Sequence, residues 1–265
     1  MRRFFAFGCS YTYYCYPTWA DIVGTQFDEY YNQALFGAGN DFIAQMVYET
    51  DYLKKFNTND TVVVLLTSPT RYDSYIDQTW QWRGSVFSET NKDVYTAQWH
   101  RDLWSVEQGI ITTWRAAKSI RTLLTQRGVN FKILTAFPIL GDDWAGDITN
   151  SVKSADVLAL AEDFDANIDN RMDQTLFQQL YAKHDNRGLF YHFDFGMDGH
   201  PTVPMHLEFV KNEMPDLYNP SMDERVKMWH AAVAQKRNHQ VNWENPIFSK
   251  IRGQRIGTLS NLKMG

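Results

Sequence analysis

The run Thr61-Val62-Val63-Val64-Leu65-Leu66 constrains the fold more than any other part of the chain. Six β-branched or apolar residues without alternation describe a strand covered on both faces, the habit of a parallel sheet. Arg3 to Gly8 is a second short apolar run, ended by a glycine. Phe27 to Leu35 carries aromatic and apolar residues at strand-like spacing and stops at Gly37-Ala38-Gly39. Phe131 to Ala136 ends ahead of Pro138, and Leu189 to Phe193 is a fifth candidate strand. Helical patterns separate these runs. Pro17 to Val23 permits a helix, and Asn40 or Asp41 can cap one in which Phe42, Ile43, Met46 and Val47 recur at helical spacing. A long helix is expected from about Leu103 to Gln126, with Gly128 as its stop. The alternation predicts an α/β fold, a three-layer α/β/α sandwich around a mostly parallel five-stranded sheet.

The 265 residues suit one such domain, which would bury roughly three quarters of its unfolded surface. It is expected to occupy residues 1–219, with an aromatic-rich insertion at about 72–104. Residues 220–265 then read as a helix, Asp223 to Lys236, and an irregular tail. The formal charge of −5, with no basic stripe, argues against a nucleic-acid groove. Without an apolar run of about 18 residues, a membrane span is not expected. Met1 to Phe7 lacks a full apolar core and a cleavage site, so it reads as a strand of the fold and not as a signal peptide, and a cytoplasmic location is expected. Cys9 and Cys15, the two cysteines, sit too close in a turn for a disulfide, which fits a reducing compartment.

In a parallel sheet, ligands gather beyond the carboxyl ends of the strands. The segments after each strand are therefore the informative ones. In Phe7-Gly8-Cys9-Ser10-Tyr11-Thr12 the serine follows a strand end, where a sharp turn into a helix would hold the hydroxyl and aim backbone N–H groups at an oxyanion. The plain alternative is a helix cap. Far along the chain, Asp198-Gly199-His200-Pro201 offers an imidazole that could act as base if the two loops meet. His192, Asp194, Asp198 and His200 also invite a metal reading, but no third ligand set accompanies them. Gly37-Ala38-Gly39 lacks the third glycine of a dinucleotide fingerprint, because Phe42 stands in its place.

These segments resemble the blocks of the SGNH (GDSL-like) serine hydrolases, closest to their bacterial and phage members. Gly8-Cys9-Ser10-Tyr11-Thr12 resembles the first block, Gly-Asp-Ser-x-Thr, with Cys9 in place of the aspartate. Asn32-Gln33-Ala34-Leu35-Phe36-Gly37 resembles the second, in which a glycine N–H helps form the oxyanion hole, and Asp198-Gly199-His200-Pro201 resembles the last. The resemblance implies Ser10 as nucleophile, His200 as base, Asp198 as the acid that orients it, and Gly37 as oxyanion donor. Two departures stand out. The third block's Gly-x-Asn-Asp is replaced by Thr67-Ser68-Pro69-Thr70-Arg71, leaving Asn40, Thr67, Ser68 or Arg71 to supply the missing side-chain donor. The usual Asp-x-x-His has Met197 at the aspartate's place, with Asp198 one residue nearer the histidine.

The implied activity is a cofactor-free and metal-free esterase, removing a small acyl group from a carbohydrate. A non-catalytic binding or virion-associated module on the same fold is the alternative. Between Tyr72 and Trp104 the chain carries eight aromatic residues named Tyr72, Tyr75, Trp80, Trp82, Phe87, Tyr95, Trp99 and Trp104. Exposed faces of Trp80, Trp82 and Trp99 would suit a sugar ring. A hydrophobic cluster that anchors the excursion is the plain alternative. Expected partners are a small ester or acylated carbohydrate, with virion association or self-association left open.

Overall fold

The computed structural model describes residues 1–143, 146–170, 190–193, 196–234 and 253–256, with the backbone alone at 82–83, 142–143, 146–147, 190–193 and 196–198. Four strands form the central sheet: β1 (Arg3–Phe7), β2 (Glu29–Asn32), β3 (Asp60–Leu66) and, after an excursion, β6 (Asn130–Thr135), in the order β2-β1-β3-β6. Every pairing among them is parallel. All seven residues of β3 are buried, as its unbroken apolar run requires. Parallel neighbours need crossovers, and helices supply them: α1 (Trp19–Gly24), α2 (Asn40–Lys54) and α4 (Val106–Arg127). Crossovers are right-handed, so those running in opposite directions along the sheet put their helices on opposite faces. One layer holds α2, α4 and α5 (Ala155–Asp165); the other holds α1, α6 (Val203–Glu213) and α7 (Ser221–Ala234). The α/β sandwich expected from the sequence is thus the observed fold.

The long helix begins at an Ser105 cap and ends at Gly128, whose φ of 65° is the expected left-handed stop. The helix beyond residue 220 shares the main core through Met222, Val226, Trp229 and Val233. Among the described residues no helix is long and apolar enough to cross a membrane. Neither Cys9 nor Cys15 is part of a disulfide.

The structure departs from expectation in three places. The candidate fifth strand, observed as β9 (Phe190–Phe193), does not join the sheet. It pairs antiparallel with β10 (Gly196–Pro201), with an irregularity between Met197 and Pro201. Only two residues separate these strands, a connection that suits a hairpin and is far too short for a parallel crossover. A short bridge, Tyr31 to Gln254, occupies the open edge of β2 instead. Second, the aromatic excursion, in which the sequence shows no clear period, has secondary structure of its own. It opens with a hairpin of β4 (Arg71–Ile76) and β5 (Thr79–Ser85), turned by Asp77 and Gln78 with φ of 51° and 61°, the pair of left-handed residues that a tight hairpin uses. It continues through α3 (Ala97–Asp102) to a satellite cluster of Val86, Tyr95 and Trp104. A two-residue pairing, β7 (Asp142–Asp143) with β8 (Gly146–Asp147), follows the sheet. Third, no helix starts at Ser10.

Candidate active site

The strand order reverses between β1 and β3, the switch point at which open α/β sheets hold ligands. Ser10 lies directly past the end of β1 and is 6% exposed. It sits in a turn closed by Thr12 N–H donating to the Cys9 carbonyl at 2.9 Å. Gly8 makes that turn possible: its φ is 157°, and a Cβ there would lie 2.2 Å from Thr12 Oγ1 and 3.0 Å from the Leu65 carbonyl. The expected helix starts nine residues later, at Trp19. Thr18 and Asp21 form a reciprocal capping box that fixes its first turn, and the aromatic residues from Tyr11 to Tyr16 are used for packing. No helix N-terminus therefore stands at Ser10.

The loop after β2 is knitted to this turn. Gln33 N–H donates to the Ala6 carbonyl at 2.9 Å, and Leu35 N–H to the Gly8 carbonyl at 3.2 Å. The Asn32 amide donates to the Thr12 carbonyl and to Tyr30 Oη, both at 2.9 Å, while its oxygen accepts from Ala34 N–H at 3.1 Å. Thr18 Oγ1 also donates to the Thr12 carbonyl, at 2.7 Å. The loop then reaches Gly37, with φ of 70°.

A cavity of about 430 Å³ opens where these loops meet, lined by Ser10, Tyr11, Phe36, Gly37, Arg71, Gly199 and His200. The hydroxyl and imidazole singled out in the sequence thus share one cavity with the glycine of the second block. Tyrosines hold the histidine there. Tyr14 stacks on the His200 ring, with centroids 3.8 Å apart and planes 20° apart, and Tyr11 meets it edge-on at 5.5 Å. Tyr11 Oη donates to the Gly199 carbonyl at 3.3 Å and Tyr16 Oη to the His200 carbonyl at 3.2 Å. These docking tyrosines were missed in the sequence, where the aromatic run after Ser10 was the available signal. The Asp198 side chain lies outside the described residues, as do those of His192 and Asp194. Among the described residues no group of His, Cys, Asp and Glu is arranged to hold a metal.

The four side-chain donor candidates separate clearly. Arg71 lines the cavity and donates to the Ala38 carbonyl at 3.2 Å. Asn40 is 3% exposed and turned into the fold: its nitrogen donates to the Thr67 carbonyl and Thr113 Oγ1, and its oxygen accepts from Thr67 N–H. Both amide hydrogens are thereby engaged in joining α2 to β3 and α4. Ser68 Oγ accepts from Thr70 N–H, and Thr67 Oγ1 is buried without a partner; neither residue lines the cavity.

The aromatic excursion meets the site through its backbone. Gly84 N–H donates to the Gly37 carbonyl at 3.0 Å, and the Asp73 carboxylate accepts from Gly39 and Phe42 N–H at 2.8 and 2.9 Å. Asp73 thus caps α2 from a neighbouring strand. Burial pushes its carboxyl up to about 6, against the pull of those two N–H bonds. Trp80 packs on Phe42, and Trp99 is enclosed by Tyr72, Tyr95 and Trp104. Both rings pack within aromatic clusters, and neither lines this cavity; the Trp82 side chain lies outside the described residues.

No protein-family model and no curated protein sequence matches the chain. Among solved structures, it is similar to a member of the lipolytic G-D-S-L family from Veillonella parvula, at 12% identity and a TM-score of 0.42, over 78% of this chain and 92% of that one. It is also similar to a catalytic mutant of an acetylxylan esterase from Geobacillus stearothermophilus, at 12% identity and a TM-score of 0.46, over 82% and 94% of the two chains.

Proposed function

We propose that this chain is a serine esterase of the SGNH type that removes a small acyl group. One observation carries the reading: Ser10 and His200, 190 positions apart, line one cavity together with Gly37 and Arg71. Ser10 Oγ attacks the ester carbonyl while His200 takes its proton and later returns it to the leaving alcohol. The Ser10 and Gly37 N–H groups face the developing oxyanion, and Arg71 takes the place of the third-block asparagine. Asp198 orients the imidazole. The apolar walls, Tyr11 and Phe36, suit a short acyl chain such as acetate, with a carbohydrate as the alcohol.

A second reading, a non-catalytic module on this fold, draws on the missing third-block asparagine and on the engagement of Asn40 within the fold. Losing one oxyanion donor costs roughly 10²–10³ in turnover, about 3–4 kcal/mol. Hydrolysis of p-nitrophenyl acetate separates the two. The esterase reading expects turnover that His200→Ala removes without loss of fold. Absence of turnover in the wild type supports the module, whereas turnover that persists in His200→Ala means that the base is another group.

A further inference from the structure

The segment Gly253–Ile256 lies far outside the blocks that resemble the hydrolases, yet it is bound to the loop that carries Gly37. Gln254 N–H donates to the Tyr30 carbonyl at 2.8 Å, and its carbonyl accepts from Asn32 N–H at 3.1 Å. These bonds extend the sheet past its open β2 edge by a parallel bridge. The Gln33 side chain grips the same segment twice, donating to the Gln254 carbonyl at 3.1 Å and accepting from Ile256 N–H at 3.2 Å. Arg255 reaches further in. Its Nη1 donates to the carbonyls of Asn32 and Ala34, and its guanidinium lies 5.3 Å from the centre of the Tyr13 ring. Tyr13 in turn meets Phe36, a wall of the cavity, at 5.8 Å. The approach is too close for any side chain at position 253, where a Cβ would stand 2.7 Å from both Cβ and N of Asn32.

We infer that Gly253–Ile256 is a working part of the active site, a strap on which Arg255 is a positioning residue for the Asn32–Gly37 loop. The inference builds on the esterase reading and adds to it. The loop has two clamps. The hairpin β4–β5 holds the carbonyl side of Gly37 through Gly84, and the strap holds the carbonyls of Asn32 and Ala34 at the loop's other end. Two cationic N–H bonds to backbone carbonyls fix the peptide planes ahead of Gly37. The direction of the Gly37 N–H depends on those planes, and misplacing such a donor by about 1 Å costs on the order of 10²-fold in rate. Binding of the ester against Tyr11, which lies outside that loop, depends on them far less.

The test pairs Arg255→Ala with Arg255→Lys in the full chain. The readouts are hydrogen exchange of residues 33–38, p-nitrophenyl acetate kinetics, and the urea midpoint. The strap predicts faster exchange at 33–38 in Arg255→Ala, with kcat down about tenfold to a hundredfold and KM within about twofold. Arg255→Lys should recover part of the kcat. Unchanged exchange at 33–38 overturns the strap, and faster exchange with unchanged kcat overturns the positioning role. A fall in kcat that merely tracks a general loss of stability, with no recovery in the lysine variant, also overturns it. Exchange is read whether or not the wild type hydrolyses esters, so the strap and the esterase reading fail separately. Should Arg255→Ala not fold, Gln254→Pro, which removes the N–H bond to Tyr30, gives the same comparison.

Discussion

Around Ser10, the loops after β1 and β2 are joined mainly by backbone bonds, from Gln33 to Ala6 and from Leu35 to Gly8, with Asn32 as buckle. Around His200 the means differ: a hairpin with irregular pairing is held by the rings and hydroxyls of Tyr11, Tyr14 and Tyr16. The serine half inherits its position from the parallel sheet, whereas the histidine half is docked by side chains contributed from the serine half's own turn. That contrast teaches where each half can be broken. Damage to the buried joint at Asn32 should appear as lost stability, and damage on the histidine side as lost turnover in a protein that still folds.

The largest effect is expected at Asn32. Its amide makes three bonds in a fully buried place, so Asn32→Ala should destabilise by about 3 kcal/mol, read as a lower urea midpoint. A midpoint within experimental error of the wild type would mean that the two loops are not joined there. Next comes pH. Burial raises the carboxyl of Asp21 to about 7, and the Thr18 and Tyr30 hydrogen bonds only partly offset it. Because its folded value exceeds its unfolded one, the native state binds more protons, and this group's contribution to stability is lost as pH rises from about 4 to 7. Asp21→Asn should flatten that slope by about 2 kcal/mol between about pH 5 and 7; an unaltered slope assigns the dependence elsewhere. The smallest effect tests the histidine half. Tyr14→Leu removes the ring stacked on His200 and should lower kcat about tenfold, about 1.4 kcal/mol, with little change in urea midpoint, while Tyr14→Phe keeps the ring and most of the rate. Equal losses in both variants would assign the effect to the hydroxyl, and a lost midpoint without lost turnover would erase the contrast.

How much of this was legible in the chain follows from the range of the interactions. Buried strands such as Val62 to Leu66 declare themselves, because a two-sided strand has no polar face, and Gly128 marks its helix end by a conformation that glycine favours. The blocks around Ser10, Gly37 and His200 were visible as local patterns. The hairpin at 71–85 was not, since its turn uses Asp77 and Gln78 in left-handed conformations without a glycine. Asn40 looked like a free donor because its partners, Thr67 and Thr113, are 27 and 73 positions away. Arg255 could not be connected to Ala34 from sequence, since the contact joins the edge of β2 to residues more than two hundred positions on. The helix read at Pro17 to Val23 is α1, but the role of the Tyr-rich run among the eight residues before it, docking a loop, was not visible.

A fluorophosphonate probe, followed by peptide mapping of the adduct, tests the central claim most directly. A hydroxyl activated by His200 in this cavity should carry the phosphonyl group on Ser10, with labelling slowed at least a hundredfold in His200→Ala. An adduct on any other residue, or equal labelling with and without the imidazole, would contradict the account.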